Sequence, residues 1–119
     1  QLSKKPNITL ILLGGNVQFN TNSATGSWTA RQLNDFTFDL MLSSCAAVIG
    51  ADVFESSLDQ KELKRAAFVR SSKRLLVVDH SKFSSHGTYR LTPLSAFDLV
   101  ATDAPPPERL LDGKIRFVY

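Results

Sequence analysis

Hydrophobic positions cluster in short runs that alternate with amphipathic stretches, the pattern of an α/β chain. The clearest run is Arg74-Leu75-Leu76-Val77-Val78-Asp79-His80-Ser81-Lys82-Phe83, in which four apolar residues lead into an acid, a hydroxyl and a lysine. An unbroken apolar run of this length predicts a strand buried on both faces, as in a parallel sheet layered between helices. Asn7 to Leu13 reads as a second strand, stopped by Gly14-Gly15. Asp39 to Gly50 is expected to start as a strand and then turn out of the sheet. Asp98 to Asp103 repeats the logic of Arg74 to Asp79, a short apolar strand ending in an acid.

Between these runs lie the helices and connections. Residues 16–27 are rich in Asn, Thr, Ser and Gly and read as a loop. A short helix is expected over Trp28 to Phe36, with Ser27 as its N-cap. A stronger helix follows Asp59, taken as N-cap, with Glu62 completing a capping box. On a wheel of ~100° per residue, Leu63, Ala66 and Ala67 share one face, Lys61 and Arg65 lie opposite, and Lys64 sits on the flank. Phe68 falls near the polar sector, marking a contact with a partner or a missing segment. Residues 80–97 read as a long connection with a helical turn within Pro93 to Phe97. After Pro105-Pro106-Pro107, one turn over Glu108 to Asp112 and a final strand over Lys114 to Tyr119 complete the chain.

The 119 residues suffice for one domain, and a hydrophobic share of 43% supports a packed core over wholesale disorder. No apolar stretch approaches the ~20 residues that span a bilayer, and no signal-peptide cleavage pattern follows the Lys4-Lys5 pair. The net charge of +3 excludes a histone-like polycation. Lys61, Lys64, Arg65, Arg70, Lys73 and Arg74 crowd one stretch, opposed there by Glu62, and read mostly as a solvated helix face. The lone Cys45 excludes an internal disulfide and suits a reducing cytoplasm.

Candidate chemistry gathers where strands end, because ligands of open α/β sheets collect beyond the carboxyl ends of the strands. Lys82 and Lys64 are compact cations fit for a phosphate or carboxylate. Asp79 suits a sugar hydroxyl or a pairing with Lys82, and Ser81 lies beside it. Ser44, a hydroxyl in an apolar strand, faces either a pocket or the backbone. Gly26 allows close approach of a ligand or simply a turn. The histidines have no accompanying cysteines, so no metal site is expected. Cys45 has no histidine placed beside it, so no catalytic nucleophile is expected.

The order of these pieces resembles the sensor domain of the DeoR-type family of bacterial repressors of sugar-utilisation operons. The resemblance rests on Ile11-Leu12-Leu13-Gly14-Gly15, Gly26 before Trp28, Phe38-Asp39 before Ser43-Ser44-Cys45, and Glu62-Leu63-Lys64-Arg65. It continues in Asp79-His80-Ser81-Lys82-Phe83 and in Pro93-Leu94 through Asp103. It implies a fold related to ribose-5-phosphate isomerase: a largely parallel sheet flanked by helices, binding a phosphorylated sugar or similar effector without a cofactor. Residues 1–119 then form a single domain, a fragment of the C-terminal effector-binding domain truncated on its N-terminal side. DNA contact belongs to an N-terminal winged helix-turn-helix that is not present, in a cytoplasmic homo-oligomer.

The chain departs from the family pattern at Ala47, where a glycine is favoured, and at Gln60, where an acid is favoured. In the related isomerase that acid shuttles protons, which an amide does not do near neutral pH. A non-catalytic sensor is therefore expected. The alternatives are a sugar-phosphate isomerase using Asp52 or Asp79, and an oligomerisation domain with a vestigial pocket.

Overall fold

Phe38–Ser43, Ser71–Val78, Leu99–Thr102 and Phe117–Val118 (here β3, β6, β8 and β9) lie side by side as a wholly parallel sheet in the order β3-β6-β8-β9. The computed structural model describes residues 1–119. Asn16–Gln18 and Ser23–Thr25 form a hairpin, β1–β2, followed by helix α1 over Ser27–Gln32. Ala47–Ile49, Asp52–Glu55 and Tyr89–Pro93 form a separate antiparallel sheet in the order β4-β5-β7. Helix α2, Leu58–Val69, connects this sheet to β6.

The core lies between the two sheets and α2. Met41, Leu76, Val78 and Val100 point inward from the parallel sheet to meet Val48 and Val53 of the antiparallel one. Phe68 of α2 closes this core edge-on against Phe97, with ring centroids 5.4 Å apart. Its position near the polar sector of the helical wheel suggested an external contact. It is buried because its ring packs on Phe97 on one side and the Arg74 guanidinium caps it at 4.3 Å.

The opposite face of the parallel sheet is bare. By register, Leu42, Leu75 and Leu99 form one row across it, and Val77, Ala101 and Val118 the next. Leu42 is 66% exposed and Val118 51%. The expectation that Arg74 to Asp79 is buried on both faces therefore fails for one of them: helices lie only on the core side. The α/β class and the parallel sheet stand as expected.

Several elements differ from the sequence reading. Asn7 to Leu13 forms no strand, although β3 offers a free edge; the segment runs exposed, Leu12 at 87%. Strand propensity expresses itself only against a partner, and none is paired here. Residues 16–25 fold into the β1–β2 hairpin instead of a loop. Gly14 fastens the preceding chain to α1: its carbonyl accepts from Thr29 Oγ1 at 2.8 Å and Gln32 Nε2 at 2.7 Å. The second half of Asp39 to Gly50 does leave the first sheet, as β4. Gly50, at φ +61°, then turns the chain back into β5, a conformation that glycine adopts without steric cost. Strand β7 emerges from what reads as connection, because its Leu91 and Thr92 are buried against the core.

Candidate functional site

The parallel register pairs Val78 with Thr102, so β6 and β8 end together and Asp79 and Asp103 stand side by side. The His80 backbone N–H donates to Asp103 Oδ1 at 2.7 Å, and its ring Nδ1 lies 3.0 Å from Oδ2. Asp79 accepts hydrogen bonds from the Ser81 amide, at 2.9 Å, and from the Ser81 hydroxyl, starting the 3-10 turn His80–Ser84. These bonds from Ser81 lower the Asp79 pKa. The contact with His80 lowers that of Asp103, while the Asp103 carboxylate raises that of His80. A hollow of about 330 Å³ opens here between Val77, Val78, Asp79, Ala101, Thr102 and Asp103. The buried Thr102 hydroxyl has no hydrogen-bond partner. Two adjacent carboxylates repel an anion, so this hollow suits a hydroxyl or a cation better than a phosphate.

A second group forms where β3 ends against α2. Lys64 Nζ lies 2.6 Å from Glu55 Oε1 and donates to the Ser44 carbonyl oxygen at 2.8 Å. Glu55, passed over in the sequence, is 4% exposed. Ser44 thus contributes its carbonyl, while the residue itself is exposed just beyond β3. The buried Cys45 thiol beside them is pushed up to about 11, by burial first and by the Glu55 charge second. It stays protonated near neutral pH and is no nucleophile. Lys82 makes no ion pair, and its positive charge acts on both Cys45 and Asp79. Lys64 is committed internally to Glu55 and the Ser44 carbonyl, and Lys82 is not.

A third group, absent from the sequence reading, surrounds the start of α2. Ser57, rather than Asp59, is the N-cap: its hydroxyl accepts from the Gln60 amide at 3.1 Å. Ser57 holds the extended backbone of a cap, and Asp59 lies in the first turn, where a carboxylate complements the helix dipole. The Gln60 side chain leaves the helix and donates to Ser23 Oγ at 3.0 Å, pinning the β1–β2 hairpin. Between hairpin and helix lies a hollow of about 290 Å³ with no hydrophobic residue in its wall, which includes Gln18, Asn20, Thr21, Ser56, Asp59 and Gln60. The polar run of residues 16–27 and the pair Ser56-Ser57 were the available signal. Only folding brings them face to face.

Gly26 stands elsewhere. At φ +104° it is the N-cap of α1, displacing Ser27 from that role, and it borders a groove between α1 and α2 with Arg31, Asn34 and Arg65. Its glycine character serves the backbone turn. Asp52, an alternative catalytic acid, is bound by Arg90 at 2.9 Å. No three metal-ligating side chains converge, and no helix is long and apolar enough to cross a membrane.

The family model described as the DeoR C terminal sensor domain matches residues 1–104. The glycerol-3-phosphate regulon repressor of Escherichia coli (strain K12) is 30% identical over 107 residues, covering 89% of this chain and 42% of the repressor. The deoxyribose operon repressor of the same organism is 34% identical over 112 residues, 90% of this chain and 43% of the repressor. The HTH-type transcriptional repressor GlcR of Bacillus subtilis (strain 168) is 25% identical over 111 residues, 93% of this chain and 43% of the repressor. The chain thus spans less than half the length of these curated relatives. With the sensor model matched over most of its residues and repressors among its relatives, this chain belongs to the DeoR family, in the C-terminal sensor domain.

Proposed function

We propose that this domain binds a hydroxylated, anionic metabolite of the sugar-phosphate class. Its occupancy would be passed to a DNA-binding segment elsewhere in a cytoplasmic repressor. The observation that carries the reading is Lys82, an ammonium in the turn His80–Ser84 after β6, with no ion pair of its own, on a turn that packs against β4. A phosphate needs such an uncommitted cation. The polar hollow at the start of α2 offers amide and hydroxyl groups for sugar hydroxyls. Asp79 and Ser81 shape the turn that carries Lys82, and Gly26 shapes the entry to α1, so both contribute through the backbone. Two relatives are named for the glycerol-3-phosphate regulon and the deoxyribose operon, which supports the same ligand class.

The reading is non-enzymatic. An isomerase needs a carboxylate free to move a proton, and the candidates are committed: Asp79 to Ser81, Asp52 to Arg90, Glu55 to Lys64. An effector acts by binding two arrangements of the protein unequally, and that difference sets the change in operator affinity. The test is a thermal-shift series with sugar phosphates at millimolar concentration. Binding at 100 times Kd stabilises by about 2.7 kcal/mol, a shift of several degrees. Lys82→Ala is expected to abolish the shift. If no sugar phosphate raises Tm, or Lys82→Ala responds like the parent, the reading fails.

A further inference from the structure

We propose that Asp103 is a positioning residue for Lys82: its carboxylate, just beyond β8, grips the turn that carries Lys82 and holds the ammonium in place for an anion. This role rests on the effector reading and gives that same site a dependence on pH.

The grip is bidentate and reaches across strands. Parallel pairing of Val78 with Thr102 brings the end of β8 alongside the start of the turn His80–Ser84. There Asp103 Oδ1 accepts from the His80 backbone N–H at 2.7 Å, and Oδ2 lies 3.0 Å from the ring Nδ1. The other hydrogen bonds of the turn are local. The Ser81 amide donates to the Asp79 carboxylate, the Lys82 N–H to the Asp79 carbonyl at 3.1 Å, and the Ser85 hydroxyl to the Ser81 carbonyl at 2.7 Å. Such bonds fix the shape of a turn but not its place on the sheet. Its place is set by Phe83, which packs against the core after Lys82, and by the hold of Asp103 on His80 before it. Lys82 stands between these anchors, half-buried and without a carboxylate partner. A cation held in this way needs little ordering when an anion arrives. Removing one anchor transfers that ordering cost to binding.

The strength of the grip follows the charge on His80. The ionisable groups acting on its ring are the carboxylates of Asp103 and Asp79, and both favour the imidazolium. A protonated ring donates to Oδ2 in a charge-assisted bond, whereas a neutral ring makes an ordinary one, and only with its proton on Nδ1. The grip is therefore firmest below about pH 6.5 and loosens as pH rises through the raised value. Charge alone predicts the opposite effect of removing Asp103. A carboxylate near an anion site repels the ligand, so its loss weakens binding only if it acts through geometry.

The test is isothermal titration of the 119-residue chain with the sugar phosphates of the thermal-shift series, ribose 5-phosphate first, at about pH 5.5 and about pH 8. Circular dichroism verifies the folding of each variant. Asp103→Ala is expected to weaken binding about threefold to tenfold at the lower pH. Asp103→Asn keeps an acceptor for the His80 amide but not the charge. It should recover most of the loss at the higher pH, where His80 is mostly neutral, and little of it at the lower. The ratio of parent to His80→Ala affinity should be larger at the lower pH, and taking this ratio cancels the titration of the phosphate itself, near pH 6. Asp103→Ala binding as tightly as the parent, or more tightly, overturns the proposal and leaves the effector reading standing. A parent to His80→Ala ratio that does not change with pH does the same. A parent that binds none of the sugar phosphates overturns the effector reading and the role of Asp103 with it.

Discussion

Lys64 Nζ sits 2.6 Å from Glu55 Oε1, so a helix and a strand of different layers are joined by one ion pair whose carboxylate is almost wholly shielded from water. Removing the cation leaves Glu55 buried without compensation, which costs far more than the pair itself contributes. Lys64→Ala is expected to lower unfolding stability by about 3 kcal/mol, and the apolar pair Lys64→Met with Glu55→Leu to recover most of it. Urea unfolding of the two variants measures both values. A loss below about 1 kcal/mol in Lys64→Ala would mean that water reaches Glu55.

The start of α2 depends on Ser57. Its hydroxyl satisfies an amide that the helix itself leaves unpaired. Ser57→Ala should cost about 1 kcal/mol, whereas Asp59→Ala should cost less, because Asp59 is not the cap. Equal losses for the two, in chemical denaturation, would contradict this assignment.

Phe68 is the aromatic hinge of the core, touching Phe97 edge-on and covered by Arg74. Phe68→Ala should destabilise by about 3–5 kcal/mol through lost contacts and the cavity left behind. Near-native stability would place Phe68 on the surface, as the helical wheel alone suggests.

The contact between His80 and Asp103 makes stability depend on pH. The His80 pKa is raised from 6.5, so its contribution is complete below about 6.5 and fades as pH climbs through the folded value. The Asp103 pKa is lowered from 3.8, so its contribution holds above about 3.8 and fades as pH falls through the folded value. Both are present together between these limits. The Tm difference between the parent and His80→Ala should therefore be largest near pH 5 to 6 and shrink by pH 8. A difference that is flat, or that grows toward pH 8, would exclude the charged contact.

Much of this architecture is legible along the chain because its signals are local. The apolar run ending at Asp79, its echo ending at Asp103 and the α2 amphipathic stretch each carry their structure in their own residues. The side-by-side placement of Asp79 and Asp103 follows from two such runs pairing in parallel. Strands β5 and β7 are harder to see, since four or five residues become strand only when a neighbour supplies the ladder. Asn7 to Leu13 shows the converse: strand-forming residues with no pairing remain without sheet structure.

The sequence by itself determined the α/β class, the parallel strand ends and the presence of Lys64, Asp79 and Lys82 among the residues of interest, because hydrophobic period and residue type act over a few neighbouring positions. Only the tertiary structure decided that Lys64 is bound to Glu55 while Lys82 stays free, that Gln60 closes a polar hollow onto Ser23, and that one sheet face lies bare. Those outcomes depend on contacts between segments far apart in the chain, and no local pattern encodes which distant group a side chain will meet.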